Sequence, residues 1–269
     1  MNKKKLGLVG AGNMAQAIAS AAIEHGTLQA DQIIAYDPQP QRVKVFAGMG
    51  VTMAASVPEL VAVSEQVMLA VKPQVVPQVA ADMASALTSE HVVLSIMAGV
   101  TTDRLAKALG QPTRVVRIMP NTPMMVGMGM AGISCGANAQ PGDDALAMRL
   151  FTAGGSEAIS VDEAQLDAIT AVSGSGPAYL FYLAQAMEQA AVDMGLSASQ
   201  SALLVSQTLR GASQMLVESP NTPQQLRQKV TSPGGTTQAA IEHLQSHDVL
   251  QTVVDALRAA ETRSQTLGQ

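Results

Sequence analysis

One glycine-rich turn and two hydroxyl-rich loops hold the residues of this chain whose types and spacing suit chemistry. Gly10-Ala11-Gly12-Asn13-Met14-Ala15 fits the pattern G-x-G-x-x-G/A. In that pattern Gly10 permits the tight turn, Gly12 lets the backbone approach a pyrophosphate, and small Ala15 lets a helix pack closely on a strand. The uncommitted N–H groups at the helix start then face the phosphates, which reads as dinucleotide binding. Asp37 lies 22 residues beyond Ala15. An acid there takes an adenosine ribose 2′-hydroxyl and disfavours a 2′-phosphate; its other reading is an Asp-Pro turn residue. Gln39, Gln41, Arg42 and Lys44 follow and are able to hold a phosphate, so local chemistry leaves NADPH and NADH both open.

The hydroxyl-rich loops are Ser173-Gly174-Ser175-Gly176-Pro177 and Thr231-Ser232-Pro233-Gly234-Gly235-Thr236-Thr237, each directly before a helical pattern. Helix starts bind anions through backbone N–H groups and the dipole. Ordinary capping by Ser or Thr explains part of this composition. Two such nests beside one dinucleotide site point to a small carboxylate substrate. A second G-x-G-x-x-G, Gly127–Gly132, follows a proline-bearing loop and leads into no helix, so it reads as a flexible loop. His243 and His247 have the i, i+4 spacing of a metal pair, but no Glu sits between them and no third ligand is evident, so no metal is expected. Neither Ser173 nor Ser175 completes G-x-S-x-G. Cys135 reads as a small core residue.

These residues need a scaffold, and the first 160 positions supply its pattern. Short apolar runs at Leu6–Val9, Gln32–Tyr36, Val67–Val71, Val92–Ile96 and Arg114–Ile118 alternate with helical lengths, including Met14–Glu24 and about Val75–Leu87. Strands separated by helical lengths argue for βαβ units and a parallel sheet. In such a sheet the ligand lies at the carboxyl ends of the strands. Ala70-Val71-Lys72-Pro73, Met97-Ala98-Gly99 and Met119–Pro123 fall there, with Asn121 offering both a donor and an acceptor. Lys72 is either a cofactor contact or a solvated strand-end charge.

Composition bounds the rest. The chain has 269 residues, net charge −5 and 2% aromatics, which disfavours a phosphate-backbone or base-stacking nucleic-acid binder. Its single cysteine excludes an internal disulfide. Glycines and polar residues interrupt the apolar stretch after Lys3-Lys4-Lys5, and no other stretch has 18 uninterrupted apolar residues, so a soluble, cytoplasmic protein without membrane contact is expected. Beyond Val161 strand patterns stop. Ala178–Met194, Ala202–Val217, Thr236–Leu244 and Val249–Thr262 read as helices, and Ala164–Val217 holds only four charged residues in 54. Helices so apolar must be buried, and about 105 residues cannot bury them alone, which favours an intertwined homodimer over packing on the sheet. The expected architecture is α/β: a Rossmann-type parallel-sheet domain over 1–161, then an all-helical substrate-binding and dimerisation domain over 162–269.

Gly10–Ala15, Ala70–Pro73, Met119–Pro123, Ser173–Tyr179 and Thr231–Thr237, in that order across nearly the whole chain, resemble pyrroline-5-carboxylate reductase. The resemblance implies hydride transfer from NAD(P)H to the C=N carbon of 1-pyrroline-5-carboxylate, giving L-proline. It implies a cofactor set of Val9, Gly10, Ala11, Gly12, Asn13, Met14, Asp37, Ser56, Ala70, Val71, Lys72, Pro73, Met97, Ala98, Gly99 and Asn121. It implies that Ser173, Gly174, Ser175, Ser232, Gly235, Thr236 and Thr237 bind the substrate, with Thr237 hydrogen-bonding the ring nitrogen. It also implies a homodimer or an assembly of dimers, with each site combining the sheet domain of one subunit and helices of the other. The chain departs from the family pattern at Pro220 and Asn221, where many members carry an acid. It departs again at Asp37, where members preferring NADPH often place Ser, Thr or Arg. The residues agree with an imine substrate on their own account. Removing a hydroxyl proton needs a base, and the helical half has one lysine, Lys229, with its two histidines beyond the last loop. A hydroxyacid dehydrogenase would need a lysine base there, and a dinucleotide sensor would turn over no imine.

Overall fold

The structure is a computed structural model describing residues 3–110 and 112–267. Eight strands form one sheet: β1 (Lys4–Val9), β2 (Ile33–Tyr36), β3 (Thr52–Met53), β4 (Ser64–Leu69), β5 (Val92–Ser95), β6 (Arg114–Pro120), β7 (Met130–Cys135) and β8 (Glu157–Ser160). Their spatial order is β3-β2-β1-β4-β5-β6-β7-β8. Every pairing is parallel except β6 with β7, which is antiparallel, Ile118 opposite Ile133. The order reverses between β2 and β4 across β1, and that topological switch point opens a crevice at the carboxyl ends of β1 and β4.

Helices α1 (Asn13–Glu24), α2 (Pro40–Gly48), α3 (Val57–Val63), α4 (Val76–Met83), α5 (Thr102–Ala108), α6 (Ala145–Phe151) and α7 (Leu166–Ile169) accompany the sheet. Successive strand residues face opposite ways, so the strands feed two cores. Leu6 and Leu8 of β1 join Ile18 and Ala22 of α1 and Leu150 and Phe151 of α6 on one face. Val9 joins Leu60 of α3, Met83 of α4 and Leu105 of α5 on the other. The remaining helices are α8 (Gly176–Asp193), α9 (Ala198–Glu218), α10 (Pro223–Lys229), α11 (Thr236–Ser246) and α12 (Val249–Leu267). By packing the chain divides into two compact units, one up to Ser175 and again from Ala260, the other Gly176–Ala259. No helix among the described residues is long and apolar enough to cross a membrane.

Three local expectations are corrected. Gly127–Gly132 is ordered structure: Gly127, at φ 69°, ends a 3-10 turn over Thr122–Val126, and β7 begins at Met130. Its glycines serve packing, since a Cβ on Gly132 would lie 2.6 Å from Ile169 Cδ1. Cys135 is exposed rather than in the core. Pairing of β7 with β8 ends at Ile133 opposite Ser160, which leaves the end of β7 without a neighbour on that side. The apolar helical segments are largely exposed in the single chain, Phe181 69% and Leu204 54% accessible, which accords with helices that about 105 residues cannot bury alone. The Ser173–Pro177 loop is not a fresh helix start. Thr170–Gly174 forms a π-helical turn that runs from α7 towards α8.

Candidate active site

The glycine turn follows β1 and leads straight into α1. Gly10 has φ 94°, a conformation L side chains rarely adopt, and a Cβ there would lie 2.6 Å from the Ala70 carbonyl oxygen. The turn is pinned on both sides. Gly10 N–H donates to Tyr36 O at 2.9 Å and Ala70 N–H donates to Val9 O at 2.9 Å. Asp37 completes the clamp: Oδ2 accepts Ala11 N–H at 2.8 Å and Oδ1 accepts Gln39 N–H at 2.9 Å. Both its carboxylate oxygens therefore hold backbone. Arg42 Nη1 donates to Asn13 Oδ1 at 2.8 Å, which brings a guanidinium beside the start of α1.

The first bond of the α1 ladder runs from Gln16 N–H to Gly12 O, and no side chain caps the helix. The N–H groups of Asn13, Met14 and Ala15 are thus uncommitted. Around Gly12 there is open space where a Cβ would point. This cradle fits a pyrophosphate, with amides and dipole directed at it and no side chain in the way. It opens into a cleft of about 450 Å³ lined by the turn, by Ala70–Pro73 after β4, by Ile96–Ala98 after β5 and by Met119–Thr122 after β6, with Gly174 on its wall.

Of the expected cofactor set, Gly12, Asn13, Met14, Ala70, Val71, Lys72, Pro73, Met97, Ala98 and Asn121 line this cleft. Val9, Gly10, Ala11 and Asp37 lie behind it as its support, and Gly99 is buried. Ser56 caps α3, its hydroxyl accepting Glu59 N–H. Ile96, Met119, Pro120 and Thr122 line the cleft but were not in the expected set. Their signal was position at strand ends, since none carries a chemically telling side chain. Asn121 is buried; its Nδ2 donates to Ser173 O at 3.1 Å and its Oδ1 accepts Met130 N–H at 2.9 Å.

The expected substrate residues divide between two places. Ser173, Gly174 and Ser175 lie on the π-helical turn, where Ser175 N–H donates to Thr170 O at 2.8 Å and Ser173 Oγ donates to Ile169 O at 3.1 Å. Ser232, Gly235, Thr236 and Thr237 lie at the start of α11. Gly235 is the N-cap without a side-chain bond, and the first ladder bond runs from Ala239 N–H to Gly235 O. The amides of Thr236, Thr237 and Gln238 are thereby left uncommitted, a fit for a carboxylate. Gly234 N–H is taken by Gln238 Oε1 at 2.7 Å. His243 and His247 are exposed, and among the described residues no three potential metal ligands cluster.

Residues 163–267 match the family profile described as Pyrroline-5-carboxylate reductase dimerisation, and residues 5–99 match one described as NADP oxidoreductase coenzyme F420-dependent. The chain is 41% identical to the pyrroline-5-carboxylate reductase of Pseudomonas aeruginosa over 100% of its own length and 98% of that protein. It is 35% identical to the one of Escherichia coli, covering 99% of each. Among solved structures, a pyrroline-5-carboxylate reductase from Coxiella burnetii superposes with TM-score 0.89 at 34% identity, covering 100% of both chains. The pyrroline carboxylate reductase of Plasmodium falciparum, solved with NADP bound, gives 0.89 at 29% identity, again covering 100% of both. Full-length identity of this order, carried on the same fold, means that the chain belongs to the pyrroline-5-carboxylate reductase family.

Proposed function

We propose that this protein is an oxidoreductase that reduces the C=N bond of 1-pyrroline-5-carboxylate to L-proline, the last step of proline biosynthesis, with NADPH or NADH. The observation that carries this reading is the cradle of uncommitted amides at Asn13–Ala15, open into a cleft lined by strand ends. A bound nicotinamide cofactor would supply the hydride to the C=N carbon and leave as NAD(P)+, and a proton from solvent completes the ring N–H. The amides of α1 hold its pyrophosphate, and the walls formed by Ala70–Pro73 and Met97–Ala98 orient its reactive end. Among the described residues Lys72 is the one ionisable side chain on that lining.

The amides at the start of α11, with Ser232 and Thr236, hold the substrate carboxylate, and the Thr237 hydroxyl hydrogen-bonds the ring nitrogen. An imine needs no base to take a hydroxyl proton, so orientation supplies most of the catalysis. Residues 1–161 serve as the nucleotide domain and 162–269 as the substrate and dimerisation domain. The working form is a cytoplasmic homodimer or an assembly of dimers.

Purified protein should oxidise NADPH or NADH only when 1-pyrroline-5-carboxylate is present; no turnover with either cofactor would refute the activity. Thr237→Ala should lower kcat/KM by at least about 100-fold, within the range for losing a transition-state donor, while cofactor Kd stays within about twofold. An unaffected rate removes Thr237 from the mechanism.

A further inference from the structure

A carbonyl near the π-helical turn has lost its helical partner. Ser173 lies where the π register of Thr170–Gly174 gives way to α8; the α-register donor to its carbonyl would be the residue four on, Pro177, which has no N–H, and among the described residues no backbone bond from Ala178 takes its place. Asn121 replaces the missing donor, its Nδ2 lying 3.1 Å from Ser173 O. The same side chain accepts Met130 N–H at 2.9 Å, so it ties the first residue of β7 to the turn. Asn121 is only 8% accessible, and neither bond competes freely with water. The turn also sits tightly on the end of β6: a Cβ on Gly174 would lie 2.5 Å from Met119 Cε. Met119, Asn121 and Gly174 all line the proposed cofactor cleft. π-Helical turns concentrate at functional sites because the extra residue re-aims the chain.

We propose that Asn121 is a positioning residue for the reduction, acting as the hydrogen-bond donor that Pro177 removes and so holding the Ser173–Gly174 turn as a wall of the cleft. Its amide is spent on the backbone of that turn and of β7, so it acts by holding the cleft wall and not by a hydrogen bond to the cofactor. This rests on the imine-reductase reading of the cleft, while the bond itself is open to a test that needs no turnover. Asn121→Asp retains an acceptor for Met130 N–H and loses the donor to Ser173 O. Pro177→Ala restores an N–H four residues after Ser173.

The test is made on the full-length protein. Wild type, Asn121→Asp and Asn121→Asp with Pro177→Ala are compared by hydrogen exchange over residues 170–180, NADPH titration, and kcat with 1-pyrroline-5-carboxylate. The expected result is at least tenfold faster exchange and at least tenfold lower kcat in Asn121→Asp, with any loss of NADPH affinity at least threefold smaller than the loss of kcat. The double variant should recover at least threefold in both exchange and kcat. Asn121→Ser, smaller and neutral, carries the same comparison if the carboxylate variant does not fold. Unchanged exchange, unchanged kcat, no recovery in the double variant, or a NADPH affinity that falls in step with kcat each overturns the proposal. A wild type that turns over no 1-pyrroline-5-carboxylate refutes the activity alone, and exchange still judges the bond.

Discussion

Asp37 shows how a residue legible by position acquires its role from its neighbours. Its spacing after the glycine turn marks it as a ribose acid, yet both carboxylate oxygens accept backbone N–H groups, of Ala11 and of Gln39. A carboxylate has lone pairs beyond those two bonds, so clamp and ribose acceptor are compatible roles. Asp37→Ser removes the clamp together with the charge that repels a 2′-phosphate. Affinity for both cofactors should therefore fall, for NADH by about threefold more than for NADPH, a differential of about 0.65 kcal/mol. Fluorescence titration with each cofactor reads this ratio, and an unchanged ratio makes Asp37 a turn residue alone. Asn121 was legible only as a donor and acceptor at a strand end. Its partners, Ser173 and Met130, lie 52 and 9 residues away. No local pattern names them.

Among elements, polar pairs hold β6 to its neighbours. Arg117 on β6 is almost fully buried and faces Glu163 at 3.3 Å and Asp167 at 3.4 Å. Glu163 also accepts Thr102 N–H at the start of α5, and Asp167 accepts the Ser264 hydroxyl from α12. Arg114, at the other end of β6, pairs with buried Asp143 before α6, Nε to Oδ2 at 2.9 Å. Burial alone would raise the Asp143 carboxyl. The Arg114 hydrogen bond, the Gln140 amide and the guanidinium charge outweigh it, and the carboxyl is held below its ordinary 3.8. A depressed folded value stabilises the fold fully above 3.8, and that contribution is lost as pH falls through the folded value. Asp143→Asn should cost about 2 kcal/mol at neutral pH. Urea unfolding followed down the pH scale should show that difference shrinking below 3.8; a constant difference would mean that charge has no part in it. The early strands and α1 were readable because periodicity and glycine placement are local. β3, with two residues, and β8, with four and mostly exposed, carry too little pattern to be read. The antiparallel β7 was masked by the glycines in and before it, of which Gly132 lets α7 pack against the strand.

For the molecule as a whole, the exposed apolar side chains of α8 and α9 matter most. Phe181, Leu183, Leu203 and Leu216 are all at least half accessible in the single chain, and exposed large apolar side chains in such number mark an interaction surface. These helices fall within the segment that matches the dimerisation profile. Phe181→Glu combined with Leu204→Glu should convert a dimer to monomer at micromolar concentration and make Tm independent of concentration. Sedimentation equilibrium measures this, and an unchanged mass would place the interface elsewhere.

By itself the sequence determined β1, β2, β4, β5 and β6 with α1 and α4 between them, the glycine turn, the loops at strand ends and the apolar character of the helical half. Each is carried by residues near one another in the chain: a glycine that needs its φ, a strand period of two, a scarcity of charge. Only the tertiary structure decided that Asp37 and Asn121 spend their hydrogen bonds on backbone. The same holds for Ser173, which lies on a π-helical turn, and for Cys135, which faces solvent. For Asp37 and Asn121 the deciding partners, Ala11 and Ser173, lie 26 and 52 residues away, and a hydrogen bond has no sequence signature at that separation.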